Sequence, residues 1–91
     1  MKSKTKKLTI LQEAQQVVYS DRAADYGSVT SNFGSTAKMW SVILGKEVTA
    51  EQVGLCMIAV KISRQMHKFK MDNLVDIAGY AATLEKLSNG E

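Results

Sequence analysis

The stretch 61-KISRQMHKFKMDNLVDIAGY-80 decides how this chain folds. Lys61, Arg64 and Lys68 stand at i, i+3 and i+7, which puts them on one face of a helix. Asp72, Asp76 and Tyr80 follow at i, i+4 and i+8, one face of a second helix. Phe69 to Met71 separate the two runs. Helices joined by so short a break fold back antiparallel. The basic face of one then looks at the acidic face of the other, either as an ion-paired lock or as a lock that also holds a ligand.

Working outward, the helix that carries Lys61 opens at Thr49, with Gln52 three residues on as its capping-box partner. Val53, Met57 and Val60 make one stripe, and Leu55, Cys56, Ile58, Ala59 and Ile62 fill the other faces, so this helix is expected at the centre of the fold. No acid occurs from Gln52 through Met71. Asp72 is the expected cap of the following helix, whose buried stripe is Leu74, Ile77, Ala78, Ala81 and Leu84. Upstream, Ser28 or Thr30 caps a helix with Phe33, Ala37, Trp40 and Leu44 on its apolar side, closed by Gly45. Gly34 either weakens that helix by about 1 kcal/mol or marks a close crossing. Leu8, Leu11, Ala14 and Val18 give a first amphipathic helix from about Thr5 to Ser20. Residues 21–27, DRAADYG, have no periodicity and are expected to form an ordered loop.

The expected fold is therefore all-α, a four-helix bundle-like single domain over residues 8–87, with a basic arm at 1–7 and a tail at 88–91. A domain of 91 residues buries only a modest core, so a homo-oligomer is expected. The formal charge of +3 belongs to the arm, where Lys2, Lys4, Lys6 and Lys7 lie; the other eight bases face nine acids. That argues against a nucleic-acid partner. No run approaches the ~20 apolar residues of a membrane span, and no signal-peptide core is seen, so a cytoplasmic protein is expected. One cysteine excludes an internal disulfide, and Cys56, between Leu55 and Met57, is expected to be buried. His67 has no partner at metal spacing.

Two groups of residues could carry chemistry. In the first, Asp76 borders an apolar stripe one turn before Tyr80, and a half-buried carboxylate needs a partner. Lys61 and Arg64 are the candidates, and the same two cations suit a phosphate. Asp72 and Asp76 could instead be oxygen ligands for Mg2+. The second group is Arg22, Asp25, Tyr26 and Asn32, a loop running into a helix start, where an anion meets backbone N–H groups, Tyr26 stacks on a base and Asn32 reads its edge.

RAADYGSVTSNF at 22–33, AKMW at 37–40, LGKEVTAEQV at 44–53, VKISR at 60–64 and DNLVDIAGYA at 72–81 together resemble a family of small phage and prophage proteins over roughly residues 8–87. In helical pattern the chain is similar to the MazG-like all-α nucleoside triphosphate pyrophosphohydrolases, which oligomerise and bind Mg2+ through an E-E-x-x-E … E-x-x-D arrangement. Asn73 and Asp76 have the spacing of its second half, with Asn in place of Glu, and Asp72 as a possible substitute. The first half is absent, since Val29 to Leu44 contains no acid. The phage family has no settled function; the cations Lys61, Arg64 and Arg22 lead to the expectation of a helical protein that binds a nucleotide or nucleotide-derived anion without hydrolysis and without a cofactor, and the phage resemblance implies as one use the sequestration of a host signalling nucleotide. The alternatives are a Mg2+-dependent (d)NTP pyrophosphohydrolase using Asp72 and Asp76, and a structural or partner-binding phage protein with no small ligand.

Overall fold

A computed structural model describes residues 7–19 and 28–91. It contains four helices, α1 (Ile10–Tyr19), α2 (Val29–Leu44), α3 (Ala50–His67) and α4 (Met71–Ser88), and no strand among the described residues. The fold is one all-α domain of four packed helices, as the spacing of apolar residues requires. Residues 1–6 of the expected arm at 1–7, and the loop residues Arg22, Asp25 and Tyr26, lie outside the described residues.

Each helix starts where side chains satisfy its first N–H groups. Thr9 and Gln12 form a reciprocal pair: the Gln12 N–H donates to Thr9 Oγ1 at 3.2 Å and the Thr9 N–H donates to Gln12 Oε1 at 2.8 Å. This fixes the start of α1 at Ile10, later than the expected Thr5. Thr49 and Gln52 repeat the device at α3, at 3.1 and 2.9 Å. Ser28 Oγ accepts from the Ser31 N–H at 3.0 Å and caps α2. Gly45 ends α2 with φ of 70°, a left-handed conformation that costs glycine little, and donates to Ser41 O. The expected cap of α4 is corrected: Lys70 is its N-cap, without a side-chain hydrogen bond, and Asp72 is an exposed residue of the first turn. Gln65 does the capping work from α3, its Oε1 accepting from the Lys70 N–H at 3.0 Å and from Asn73 Nδ2 at 3.1 Å. That bond lets Asn73 be buried at the α3–α4 turn.

The packing makes α4 the hub, not α3. The α3–α4 antiparallel pair is the most extensive contact, α1 lies along α4, and α2 packs mainly on α3 and touches α4. The core is Ala14 and Val18 of α1, Ala37 of α2, Val53 of α3 and Val75 of α4. Half of α3 points away from all of this. Leu55, Ala59, Ile62 and Met66 are exposed, and so is Cys56, against the expectation that it is buried. Leu11, expected in the core stripe of α1, is also exposed.

Gly54 is the close crossing. A Cβ there would stand 2.5 Å from Leu84 Cδ2 and 3.1 Å from Phe33 Cε2, so α2, α3 and α4 meet over it. Around Gly34 nothing lies within 4 Å of an added Cβ. Gly34→Ala is therefore expected to raise stability by about 1 kcal/mol through helix propensity alone, read as a rise in melting temperature; a fall would mean that the α2 backbone needs glycine there.

Candidate functional site

The α4 face that begins at Asp76 forms one wall of an open groove of about 310 Å³ between α1, α2 and the C-terminal half of α4. Asp76, Tyr80 and Thr83 stand at i, i+4 and i+7, and Lys86 follows one turn on. The opposite wall is the first turn of α2, with Ser28, Val29, Asn32 and Phe33. Val17 and Val18 of α1 close the third side, and Val75 and Gly79 make the base. Gly79 has no side chain to fill the groove; a Cβ there would reach Val18 Cγ2 at 3.7 Å, an ordinary contact. The walls are mostly apolar, with a few polar groups, the usual make-up of a small-molecule site.

Three of the residues singled out in the sequence, Asn32, Asp76 and Tyr80, thus share one cavity. The other candidate residues are placed differently. Lys61 reaches across from α3 to Asp76, Nζ to Oδ2 at 2.9 Å, with 15% of its side chain exposed and 29% of that of Asp76. Lys61 itself does not line the groove. Arg64 is exposed one turn further along α3, and no ion pair to it occurs among the described residues. Asp72 lies exposed at the start of α4. Among the described residues, no three His, Cys, Asp or Glu side chains gather into a group that could hold a metal ion.

Lys86 is the site residue that sequence reasoning missed. Lys86 lines the groove, and its ammonium donates to Val18 O at 3.3 Å and sits 5.3 Å from the centre of the Tyr19 ring. It thereby ties α4 to the end of α1 and brings a positive charge to a site that otherwise holds the Asp76 carboxylate. The Tyr19 phenol is held above its ordinary value, first by desolvation, then by the negative charges of Glu85 and Glu91. The first N–H groups of α2 are engaged, Val29 and Thr30 both donating to Glu91 O, at 3.0 and 3.4 Å. Carrying the α4 face past Tyr80 to Thr83 and Lys86 would have found the missing cation.

No helix among the described residues is long and apolar enough to cross a membrane. No solved structure matches this chain. Among curated proteins, the Gene 55 protein of Mycobacterium phage L5 is 40% identical over 82 residues, which is 88% of this chain and 53% of that protein. The Gene 55 protein of Mycobacterium phage D29 is 35% identical over 80 residues, 87% of this chain and 53% of that protein. The chain spans about half the length of these curated relatives. Both relatives are phage proteins, in keeping with the phage resemblance of the sequence motifs. Over residues 9–88, which include every described helix, the chain matches and belongs to the family described as "Domain of unknown function (DUF6378)".

Proposed function

We propose that the groove binds a nucleotide or a nucleotide-derived anion and holds it without hydrolysis. The observation that carries this reading is the meeting of Asn32, Asp76 and Tyr80 with Lys86 around one open cavity. The apolar walls and the Tyr80 ring suit the flat face of a base. Asn32 offers an amide to a base edge, and Asp76 accepts from base N–H or ribose hydroxyl groups. Lys86 supplies the positive charge for a phosphate, the role first given to Lys61 and Arg64. With phage proteins as relatives, one use is the sequestration of a host signalling nucleotide.

The MazG-like pyrophosphohydrolase reading has less support. Two-metal chemistry needs several oxygens close together, and Asp76 is engaged by Lys61 while Asp72 stands apart in solvent. Pyrophosphate release from a dNTP panel with Mg2+ would establish that reading and remove the no-hydrolysis clause. A partner-binding protein without a small ligand is the remaining alternative.

A thermal-shift screen with nucleotides and cyclic nucleotides tests the proposal. A ligand at 100 times its dissociation constant adds about 2.7 kcal/mol of stability. Asn32 is exposed, so Asn32→Ala should leave the melting temperature of the free protein unchanged while shrinking the ligand-induced shift. No shift with any nucleotide, or a shift that Asn32→Ala and Tyr80→Ala both leave intact, sinks the groove as a nucleotide site.

A further inference from the structure

We infer that the open stripe of α3 is the contact between two copies of this chain, with the two α3 helices packed antiparallel. The stripe is Leu55, Ala59, Ile62 and Met66, at i, i+4, i+7 and i+11, all exposed; Leu55, Ile62 and Met66 are 52%, 47% and 83% exposed. It faces away from the side of α3 that packs on α4, where Val53 and Gly54 are buried. The smallest dimension of the molecule is 19 Å, room for no more than two helix layers at the usual 8–10 Å spacing. A helix on the outside of so thin a slab has one apolar face in water unless something covers it.

The sequence of α3 selects the occupant. Around a two-fold axis between Val60 and Lys61, Leu55 of one copy falls opposite Met66 of the other, and Ala59 opposite Ile62, so large residues meet long or small ones and the stripe is complementary to itself. Charge fixes the direction. From Ala50 to Val60 the helix carries Glu51 and no base; from Lys61 to His67 it carries Lys61, Arg64 and His67 and no acid, and Lys68 and Lys70 follow. Antiparallel pairing about this axis brings Glu51, which flanks the stripe, opposite Lys70 of the other copy just beyond its α3, whereas parallel pairing would set Glu51 against Glu51. The helix dipoles also favour the antiparallel arrangement. The exposed end of α2, with Met39, Val42 and Ile43, has no comparable charge pattern to select an occupant. This contact does not depend on the groove, which is built from α1, α2 and α4.

Light scattering on the eluting full chain should give twice the 10.0 kDa mass of one copy. Ile62→Glu and Ala59→Arg should each halve that mass with helix content unchanged, while Leu11→Glu, also at an exposed position but on α1, should leave it alone. Direction is read by oxidation on a Cys56→Ser background: Leu55→Cys with Met66→Cys should cross-link two copies, and Met66→Cys alone should not, because the antiparallel register holds the two Met66 positions about 16 Å apart along the axis. A single-copy mass at every concentration overturns the inference. So does a dimer that Ile62→Glu and Ala59→Arg leave intact, or efficient cross-linking by Met66→Cys alone.

Discussion

Gly54→Val should lower the unfolding free energy by about 3 kcal/mol, the overpacking cost of forcing methyl groups into a filled crossing. At Gly54 the first added carbon would already lie 2.5 Å from Leu84 Cδ2, 3.0 Å from Leu84 Cγ and 3.1 Å from Phe33 Cε2. The Leu84 methyl can rotate away. Its Cγ and the Phe33 ring can yield only if α4 or α2 moves back from α3. Alanine would recover up to about 1 kcal/mol in helix propensity, so Gly54→Ala should fall between wild type and Gly54→Val. For a small domain whose whole stability is about 5–15 kcal/mol, the valine variant is a severe lesion. Urea unfolding gives the order directly, and a valine variant as stable as wild type would show that the crossing is loose. The effect should reach the groove as well, because Phe33 belongs to both: displaced by the valine side chain introduced at position 54, it no longer holds its place beside Asn32. Even at temperatures where Gly54→Val is folded, its ligand-induced shift should be reduced.

The same glycines show what can be read from the chain alone. Four helices, their order and the antiparallel α3–α4 pair follow from periodicity, because each must bury one stripe. Caps are local and equally legible: the T-x-x-Q pattern at Thr49–Gln52 occurs again at Thr9–Gln12, and applying it there would have placed the start of α1 at Ile10. Which glycine sits at the crossing is not local. Gly34 and Gly54 are both helical glycines amid apolar residues, and only the tilt of α3 over α2 and α4 makes one of them indispensable. The placing of α3 at the centre failed for a related reason. A helix that is apolar all round can be enclosed by its own chain or have one face left for another, and periodicity is the same in both cases. Cys56 followed that error. On the site, the face from Asp76 to Tyr80 was legible, but whether Lys61 or Arg64 meets Asp76 depends on the register of two helices, which a shift of one turn along the axis would change. The geometry selects Lys61.

Removing one partner of that pair should separate its two roles. Asp76→Ala leaves the Lys61 ammonium, carried on a side chain only 15% exposed, without its carboxylate. Fully exposed pairs contribute about 0–1 kcal/mol, and breaking a buried one costs about 3–5 kcal/mol. This half-buried pair falls between, so Asp76→Ala should lose about 2 kcal/mol. Replacing both partners by apolar residues of similar size, Lys61→Met with Asp76→Leu, should restore most of that loss, because the cost lies in the orphaned charge more than in the missing bond. Ligand binding should not be restored with it. Asp76 faces the groove on one side and Lys61 on the other, and leucine cannot accept a hydrogen bond from a ribose or a base. A double variant that melts near wild type yet shows no nucleotide-induced shift would assign Asp76 to the ligand as well as to the helix lock. If it keeps the full shift, the carboxylate serves only to hold α3 to α4, and recognition in the groove must come from Asn32, Tyr80 and Lys86.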